Sequence, residues 1–588
     1  NKLDISKLST EELDKLIAKA AAVTEKHGAA GVAELSAKGF IELHNEIWIN
    51  ALLSGPRTFA VNAIGNALTS IYLPFEKAMG AQIRMWGAKS PIEREKYRLM
   101  RKELLNFGFY ISNLSEAFTL GRKAFTKEDS VIAPRAAVTS ELKGPAITSE
   151  HLPGIANYFG TGVDKAGRVI RLPIRLLTGT DEFFKQLQFR QTAKTDSAMK
   201  AYDDLVAEYG DDLTSEILEK ELPARTASYF DGLIREGGER YSQGQLRKDA
   251  YKDMLRAMAA SGEEWDAVTR QQFMRDHYTR NFNQSKMDIS DRAFSAAHES
   301  TFTSPQTGTL GKLVQKAVNE MPVLRLILPF VSTPLNIIKF AGQRTLPFDL
   351  PVLRKWHAKR EADLAAGDDL TKAALMGRQA VGTALWAGGV TAVASGKITG
   401  RGPTDPNERK ILQETGWQPY SLKFGDTYMS YQRLDPFATF LGAVADITEY
   451  ASEKRGERLD DPEWEELLGI ASGAALAGLS QNAINKSYMT GLKQILDAVS
   501  DPDARMEKFI HTRAGSYVPS FFGQMAGSLD GDDAIRESRT VLEALEKRFP
   551  GAGLDPRRNV LGEVVKRPKT GISLIDYVSP IIVSSKKN

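Results

Sequence analysis

The sequence predicts a mainly α-helical protein, an elongated series of helical subdomains with one small β-hairpin near 420–431. Apolar residues return at helical spacing through most of the chain, and strand-like alternation stands out at one place only. No repeat of fixed period signals a solenoid or propeller. At about 150 residues per domain, 588 residues suffice for several cores. A hydrophobic share of 42% against 26% charged is that of a chain that folds.

The first helix is predicted after Ser9-Thr10-Glu11-Glu12, which has capping-box spacing, with Leu13, Leu16, Ile17, Ala20 and Val23 on one face before His27-Gly28. A second runs from Glu34 through Phe40, Ile41, Ile47 and Trp48 to Leu53, where Ser54-Gly55-Pro56 ends it. Helical periods follow at 92–121, 181–208, 213–235, 243–261, 264–283, 353–365, 370–396, 436–454, 462–478 and 535–548. The strand pair is Tyr420–Phe424 and Thr427–Tyr431. Gly425-Asp426 lies between them, and glycine at the first turn position suits a type II′ hairpin. Loops rich in Pro, Gly, Ser and Thr near 130–163, 301–311, 399–407 and 549–572 set the subdomain borders. They divide the chain into helical subdomains 1–140 and 141–305, an apolar helical subdomain 306–405, a hairpin-plus-helix subdomain 406–548 and an extended segment 549–588.

Three stretches are more apolar than an amphipathic pattern requires: Ala51–Met79, Met321–Ala341 and Gln379–Gly396. The last holds 18 uncharged residues between Arg378 and Lys397, close to the minimum for a bilayer span. It includes Val381, Leu385, Trp386, Gly388, Gly389 and Val390, and its small residues would let two helices approach closely. Ala, Gly and Thr contribute little transfer energy, so a buried helix of a soluble protein is the stronger reading. Two prolines and Arg325 interrupt 322–331, which predicts a kinked core helix. Asn62 and Asn66, one turn apart, are placed to hydrogen-bond between packed helices.

With 77 basic and 74 acidic residues the net charge is +3, too small for bulk electrostatics to imply nucleic acid. A local candidate is Arg94, Lys96, Arg98, Arg101 and Lys102, interleaved with Tyr97, Phe107, Phe109 and Tyr110. Between 80 and 145 there are 12 basic against 7 acidic residues, an excess that suits phosphate contacts along a DNA channel. A solvated amphipathic face accounts for the same pattern.

The chemistry of known sites is largely missing. Without cysteine there are no disulfides, thiolate nucleophiles or thiolate metal sites. The seven histidines, at 27, 44, 151, 277, 298, 357 and 511, make no metal-binding spacing, and no metal or other cofactor is expected. Gly308–Leu313 lacks the features of a phosphate loop, and no nucleophile elbow occurs. The doublets Asp211-Asp212, Asp368-Asp369 and Asp532-Asp533 read as helix caps. One catalytic candidate remains. His298-Glu299-Ser300, followed by Gly308, Gly311 and Gln315, resembles the Glu-Ser and glycine-rich signature of lytic transglycosylases. There one buried glutamic acid of raised pKa protonates the glycosidic oxygen. The interval from Glu299 to the glycines is shorter than in that family, and a solvated Glu299 is the simpler reading. The chain opens on Asn1 with no signal-peptide pattern, and it reads as a piece of a longer polypeptide.

Five groups of residues in one order carry a second resemblance. They are Leu52–Thr58 with Asn62 and Asn66, Arg171-Leu172-Pro173 with Asp181–Lys185, and Leu328–Asn336. The others are Thr415–Ser421 with Arg433–Pro436, and Arg557–Glu563 with Ser579-Pro580. Together they resemble the very large phage and prophage polypeptides described as internal virion or DNA-ejection proteins. The resemblance implies a protein packaged in the capsid as a ring above the portal, then ejected to help build a conduit for DNA through the host envelope. It implies as partners further copies of the chain, other core or portal proteins, phage DNA, and the host membrane during ejection. Lytic domains in such families lie elsewhere in the polypeptide, so this part is expected to be non-enzymatic. Two readings stand beside it: a peptidoglycan-cleaving enzyme using Glu299, and a virion scaffold that never leaves the particle.

Overall fold

The computed structural model describes residues 43–132, 162–240, 291–304, 332–344, 367–403, 405–457, 520–529, 534–549 and 583–585, with short pieces between them. The expected helices at 9–27 and 462–478, the kinked segment 322–331 and Asp532-Asp533 lie outside the described residues, as does most of 264–283. The fold is mainly α with a small β element. Helix α1 spans 43–53. It is followed by α2 (Pro56–Trp86), α3 (Pro91–Leu104), α4 (Phe107–Ser112), α5 (Leu114–Lys127), α6 (Gly162–Ile170) and α7 (Leu172–Tyr209). Next come α8 (Ser215–Arg240), α9 (Asp291–Ser300), α10 (Ser332–Arg344), α11 (Asp369–Ala394) and α12 (Pro406–Glu414). Strands β1 (Ser421–Phe424) and β2 (Thr427–Ser430) precede α13 (Phe437–Glu457), α14 (Ser520–Leu529), α15 (Val541–Glu546) and β3 (Val583–Ser585).

Local chemistry explains the boundaries. Gly55 is extended and Pro56 opens α2, where a missing N–H costs nothing. Pro74 lies inside the same helix and leaves the Ser70 carbonyl without its intrahelical donor. Two side chains replace it: the Tyr110 hydroxyl donates to Ser70 O at 3.3 Å and Gln188 Nε2 at 2.5 Å. The helix therefore continues through the proline. Ser90 caps α3 by accepting the Glu93 N–H, while the Glu93 carboxylate accepts the Lys89 N–H. The continuous helix expected over 92–121 is broken twice. The Asn106 side chain accepts the Phe109 N–H and starts α4, and Asn113 ends it. The helix expected over 535–548 also shortens, because Ala534 and Arg536 form β-bridges with Lys566 and Pro556. Helix α15 begins only after Thr540, whose hydroxyl accepts the Glu543 N–H.

The hairpin falls where the alternation puts it, with Ser421 paired to Ser430 and Phe424 to Thr427. Gly425 has φ 60° while Asp426 stays out of the positive region, as a type II′ turn requires. A third strand the alternation did not suggest, β3, pairs antiparallel with β2 and matches Tyr428 to Ser584.

The core joins segments far apart in sequence. Ala78 and Ala81 of α2, Tyr97, Met100 and Leu104 of α3, Met199 of α7 and Ala373 of α11 form one apolar cluster. A second unites Ala341, Trp386, Phe440, Val444 and Ile447 from α10, α11 and α13. The tightest approach is between α2 and α11. A Cβ on Gly80 would lie 1.7 Å from Ala373 O, and one on Gly377 would lie 1.9 Å from Glu76 O. Gly121 of α5 and Gly179 of α7 make a similar pair, each Cβ position 2.7–3.0 Å from the other's carbonyl oxygen. Gly377→Val should therefore destabilise the protein by about 3 kcal/mol. Gly388→Ala, with no heavy atom within 4 Å of the added carbon, should stabilise it by about 0.5–1 kcal/mol. Urea denaturation of the two variants checks both signs.

Candidate interaction surfaces and a buried charge cluster

Glu299 ends α9 inside a cluster of charges drawn from four helices. Arg344 of α10 grips Glu76 of α2 in a two-point ion pair, Nε to Oε2 at 2.6 Å and Nη2 to Oε1 at 2.8 Å. Both side chains are 1% exposed. The Arg344 guanidinium also stacks over Phe340, 3.4 Å from the ring centre. Arg378 of α11 reaches Glu299 at 2.9 Å and Glu76 at 3.5 Å, and Arg344 approaches Glu299 at 3.5 Å. Burial pushes the Glu299 carboxyl up, but the guanidinium of Arg378 and then that of Arg344 outweigh it and hold the carboxyl down at about 2. A general acid needs the opposite shift, because it must carry a proton near neutral pH. The neighbouring His298 is buried against Phe294, with Nδ1 2.8 Å from the Thr303 hydroxyl.

Beside the cluster is a cleft of about 190 Å³ lined by Lys77, Asp196, Arg292, Glu299, Thr371 and Arg378, among others. Burial lowers the Lys77 ammonium against the pull of Glu299. Arg292 bridges Asp196, at 3.2 Å, and Asp368. Asp368 in turn caps α11 by accepting the Thr371 N–H, the role its doublet suggested. The charges neutralise one another across helices, so the cluster fastens the packing and presents no free acid–base pair.

A pair of carboxylates that the sequence reading missed lies on α13. Asp446 accepts the Arg401 N–H at 2.8 Å and the Tyr420 hydroxyl at 3.1 Å, while Glu449 accepts the N–H groups of Gly400 and Gly402 at 2.6 and 2.9 Å. They hold the 400–402 loop against the helix, next to Trp417 and the hairpin. Burial pushes Asp446 up to about 7, with the Glu449 charge adding to it and the hydrogen bond from Arg401 opposing it. Only the i, i+3 spacing of the two acids hinted at this, and that spacing is common on solvated faces.

The basic stretch divides between inside and outside. Lys96 is held by Asp203 at 2.6 Å and Asp369 at 2.9 Å, and Arg101 is bonded to Gln82. Tyr97 is buried under Arg84, Tyr110 serves Ser70, and Phe109 packs edge-on to Phe230 beneath Lys194. Arg94, Arg98 and Lys102, spaced one turn apart, face outward, with Arg98 paired to Glu95 at 2.8 Å. The structure thus leaves three of the five cations on an open face.

Helix α11 is likewise two-sided. Val381, Trp386 and Gly389 are buried, Gly389 meeting Val444 of α13. Leu385, Gly388 and Val390 are exposed, as are Thr383, Ala384 and Ala387. Among the described residues no helix is long and apolar enough to cross a membrane, and no group of three or more acids and histidines is placed to hold a metal ion. Asn66 makes the expected bond between helices, donating to Asp181 Oδ1 of α7 at 2.8 Å, whereas Asn62 bonds Thr58 O on its own helix.

Removing Glu76 strands Arg344 in the interior, so Glu76→Ala should cost about 3–5 kcal/mol. Glu95→Ala, in an exposed pair, should cost less than about 1 kcal/mol. Double-mutant cycles with the matching arginines measure both. A second expectation concerns pH. Folded Asp446 binds its proton more tightly than an unfolded aspartate, whose ordinary value is 3.8, so its contribution to stability is complete below that value and lost as the pH rises to about 7. Asp181, pushed up to about 6 chiefly by burial, acts in the same sense. Glu299 acts oppositely and loses its contribution as the pH falls from 4.5 toward about 2. Melting temperature should therefore decline between about pH 4.5 and 7, and Asp446→Asn should flatten the decline.

Comparison of the chain with protein-family models, with curated proteins and with solved structures finds no match.

Proposed function

We propose that this chain is a self-assembling internal virion protein of a bacteriophage. In this reading it is packed in the capsid against its own copies and the core or portal proteins, and takes part in a conduit for the genome across the host envelope. The observation that supports this most is the outer side of α11. Its inner side is fixed by close contacts with three other helices, yet Thr383, Ala384, Leu385, Ala387, Gly388 and Val390 stand exposed without one charge among them. A surface this uncharged suits burial by a neighbouring subunit. The ion-paired state of Glu299 weighs against the peptidoglycan-cleaving alternative.

Leu385→Arg with Val390→Arg places two charges on that face without touching the core. Sedimentation should show assembly lost while the melting temperature moves by no more than a few degrees. Electron microscopy of intact and emptied virions tests the second half of the reading. Density for this chain is expected to leave the capsid with the DNA, and density that stays would make it a scaffold.

A further inference from the structure

We infer that the α3–α5 edge of the molecule is a docking surface for an anionic lipid bilayer, which it meets from one side without crossing. Phe107 and Ile111 of α4 and Leu114 and Phe118 of α5 follow intervals of four, three and four residues. Asn113 between the two helices stays in the right-handed helical region (φ −92°, ψ −3°), so these side chains share one side of a nearly continuous helical path. All four are exposed, Ile111 at 66% and Phe118 at 67%. The inward side of α5 is small, with Ala117, Gly121 and Ala124 buried against α7 at the Gly121–Gly179 contact. The large apolar side chains are therefore outside and the small ones inside, the reverse of a helix that serves only the core. The Tyr110–Ser70 bond ties α4 to α2.

Charge names the occupant. Arg94, Arg98 and Lys102 precede the patch on the open face of α3, and Arg122, Lys123 and Lys127 follow it on α5, all exposed. The acids of the segment are engaged: Glu95 pairs with Arg98 at 2.8 Å, Glu116 pairs with Arg190 at 2.6 Å, and Glu93 caps α3. Aromatic and aliphatic side chains flanked on both sides by exposed cations, Arg98 among them paired to Glu95, match the acyl boundary and phosphate layer of a bilayer with anionic headgroups. A protein partner would match the apolar row but not the cations at both ends, and a nucleic acid would match the cations but not Ile111 and Leu114. Self-assembly through α11 and adsorption through α4–α5 use different residues, so either can fail alone.

The test is flotation of the whole chain with vesicles of phosphatidylglycerol mixed with phosphatidylcholine, against vesicles of phosphatidylcholine alone. Binding is expected to the first, to weaken with salt, and to fall about tenfold or more in Ile111→Ser with Phe118→Ser. These positions are exposed, so circular dichroism and melting should be unchanged. Since the chain has no cysteine, Ile111→Cys takes a single environment-sensitive dye, whose emission should shift blue on the anionic vesicles while a dye at Thr415→Cys does not. Equal binding to both vesicle types, an unshifted dye, or full binding by the double serine variant would overturn the inference. So would loss of self-association in that variant with vesicle binding intact, or a dye response to duplex DNA in place of vesicles.

Discussion

Helices α2 and α11 meet at glycines at their closest approach, and much else in the molecule depends on that crossing. Gly80 and Gly377 bring backbone against backbone, so each helix packs on the carbonyl groups of the other. Glu76 lies one turn before Gly80, and Arg378 follows Gly377 directly. The close approach therefore carries both into the same buried space, where Arg344 and Glu299 complete the charge cluster. Burying so many charges is costly unless every member is present and well placed. This makes the cluster intolerant of sliding: a shift of one residue along either helix would leave a guanidinium or carboxylate without its partner. Glycine supplies the closeness and the charges supply the register.

Helix α7, which also packs against α2, extends the same logic. Its buried side carries Glu182, Gln186, Gln188, Arg190, Gln191 and Thr195, polar groups that a simple apolar stripe would not include. Each has structural work. Gln188 replaces the hydrogen bond that Pro74 removes from Ser70, and Gln191 donates to the Glu103 carbonyl at the end of α3. Glu182 accepts the N–H groups of Val131 and Ile132 together with the Ser130 hydroxyl. A polar interior of this kind favours one arrangement of helices over others of equal apolar burial, because each alternative leaves a donor or acceptor unsatisfied.

That is also why the sequence told more about elements than about sites. Helix spans such as 370–396 and 436–454 and the hairpin at Gly425-Asp426 rest on local periodicity and turn chemistry, and both are visible in a single strand of letters. The helix breaks at Asn106 and Asn113 were missed because the apolar period runs on through them, while capping depends on one side-chain oxygen turning back to the chain. The charge cluster was out of reach for another reason. Glu76, Glu299, Arg344 and Arg378 are spread over some three hundred residues, and nothing local distinguishes them from solvated charges. The strand β3 and the grip of Asp446 and Glu449 on the 400–402 loop are likewise products of long-range packing. The basic stretch was half legible: its composition was plain, but which cations faced outward depended on where Asp203, Asp369 and Gln82 came to lie.

The arrangement separates two kinds of surface that composition alone had merged. Inside, small residues permit close helix contacts and paired charges fix them, so the interior is specified by geometry more than by bulk apolar area. Outside, the apolar area that such an interior does not need remains on view, as Leu385 and Val390 on α11 and as Ile111 and Phe118 on α4 and α5. The two outer faces differ in what surrounds them. The exposed side of α11 has no charge from Gln379 to Gly396, which suits a dry contact between proteins. The α4–α5 row has cations before and after it, which suits a surface that is itself charged. Leaving large side chains in water lowers solubility for an isolated molecule. One face is uncharged and the other is bordered by cations, so the two suit different surroundings.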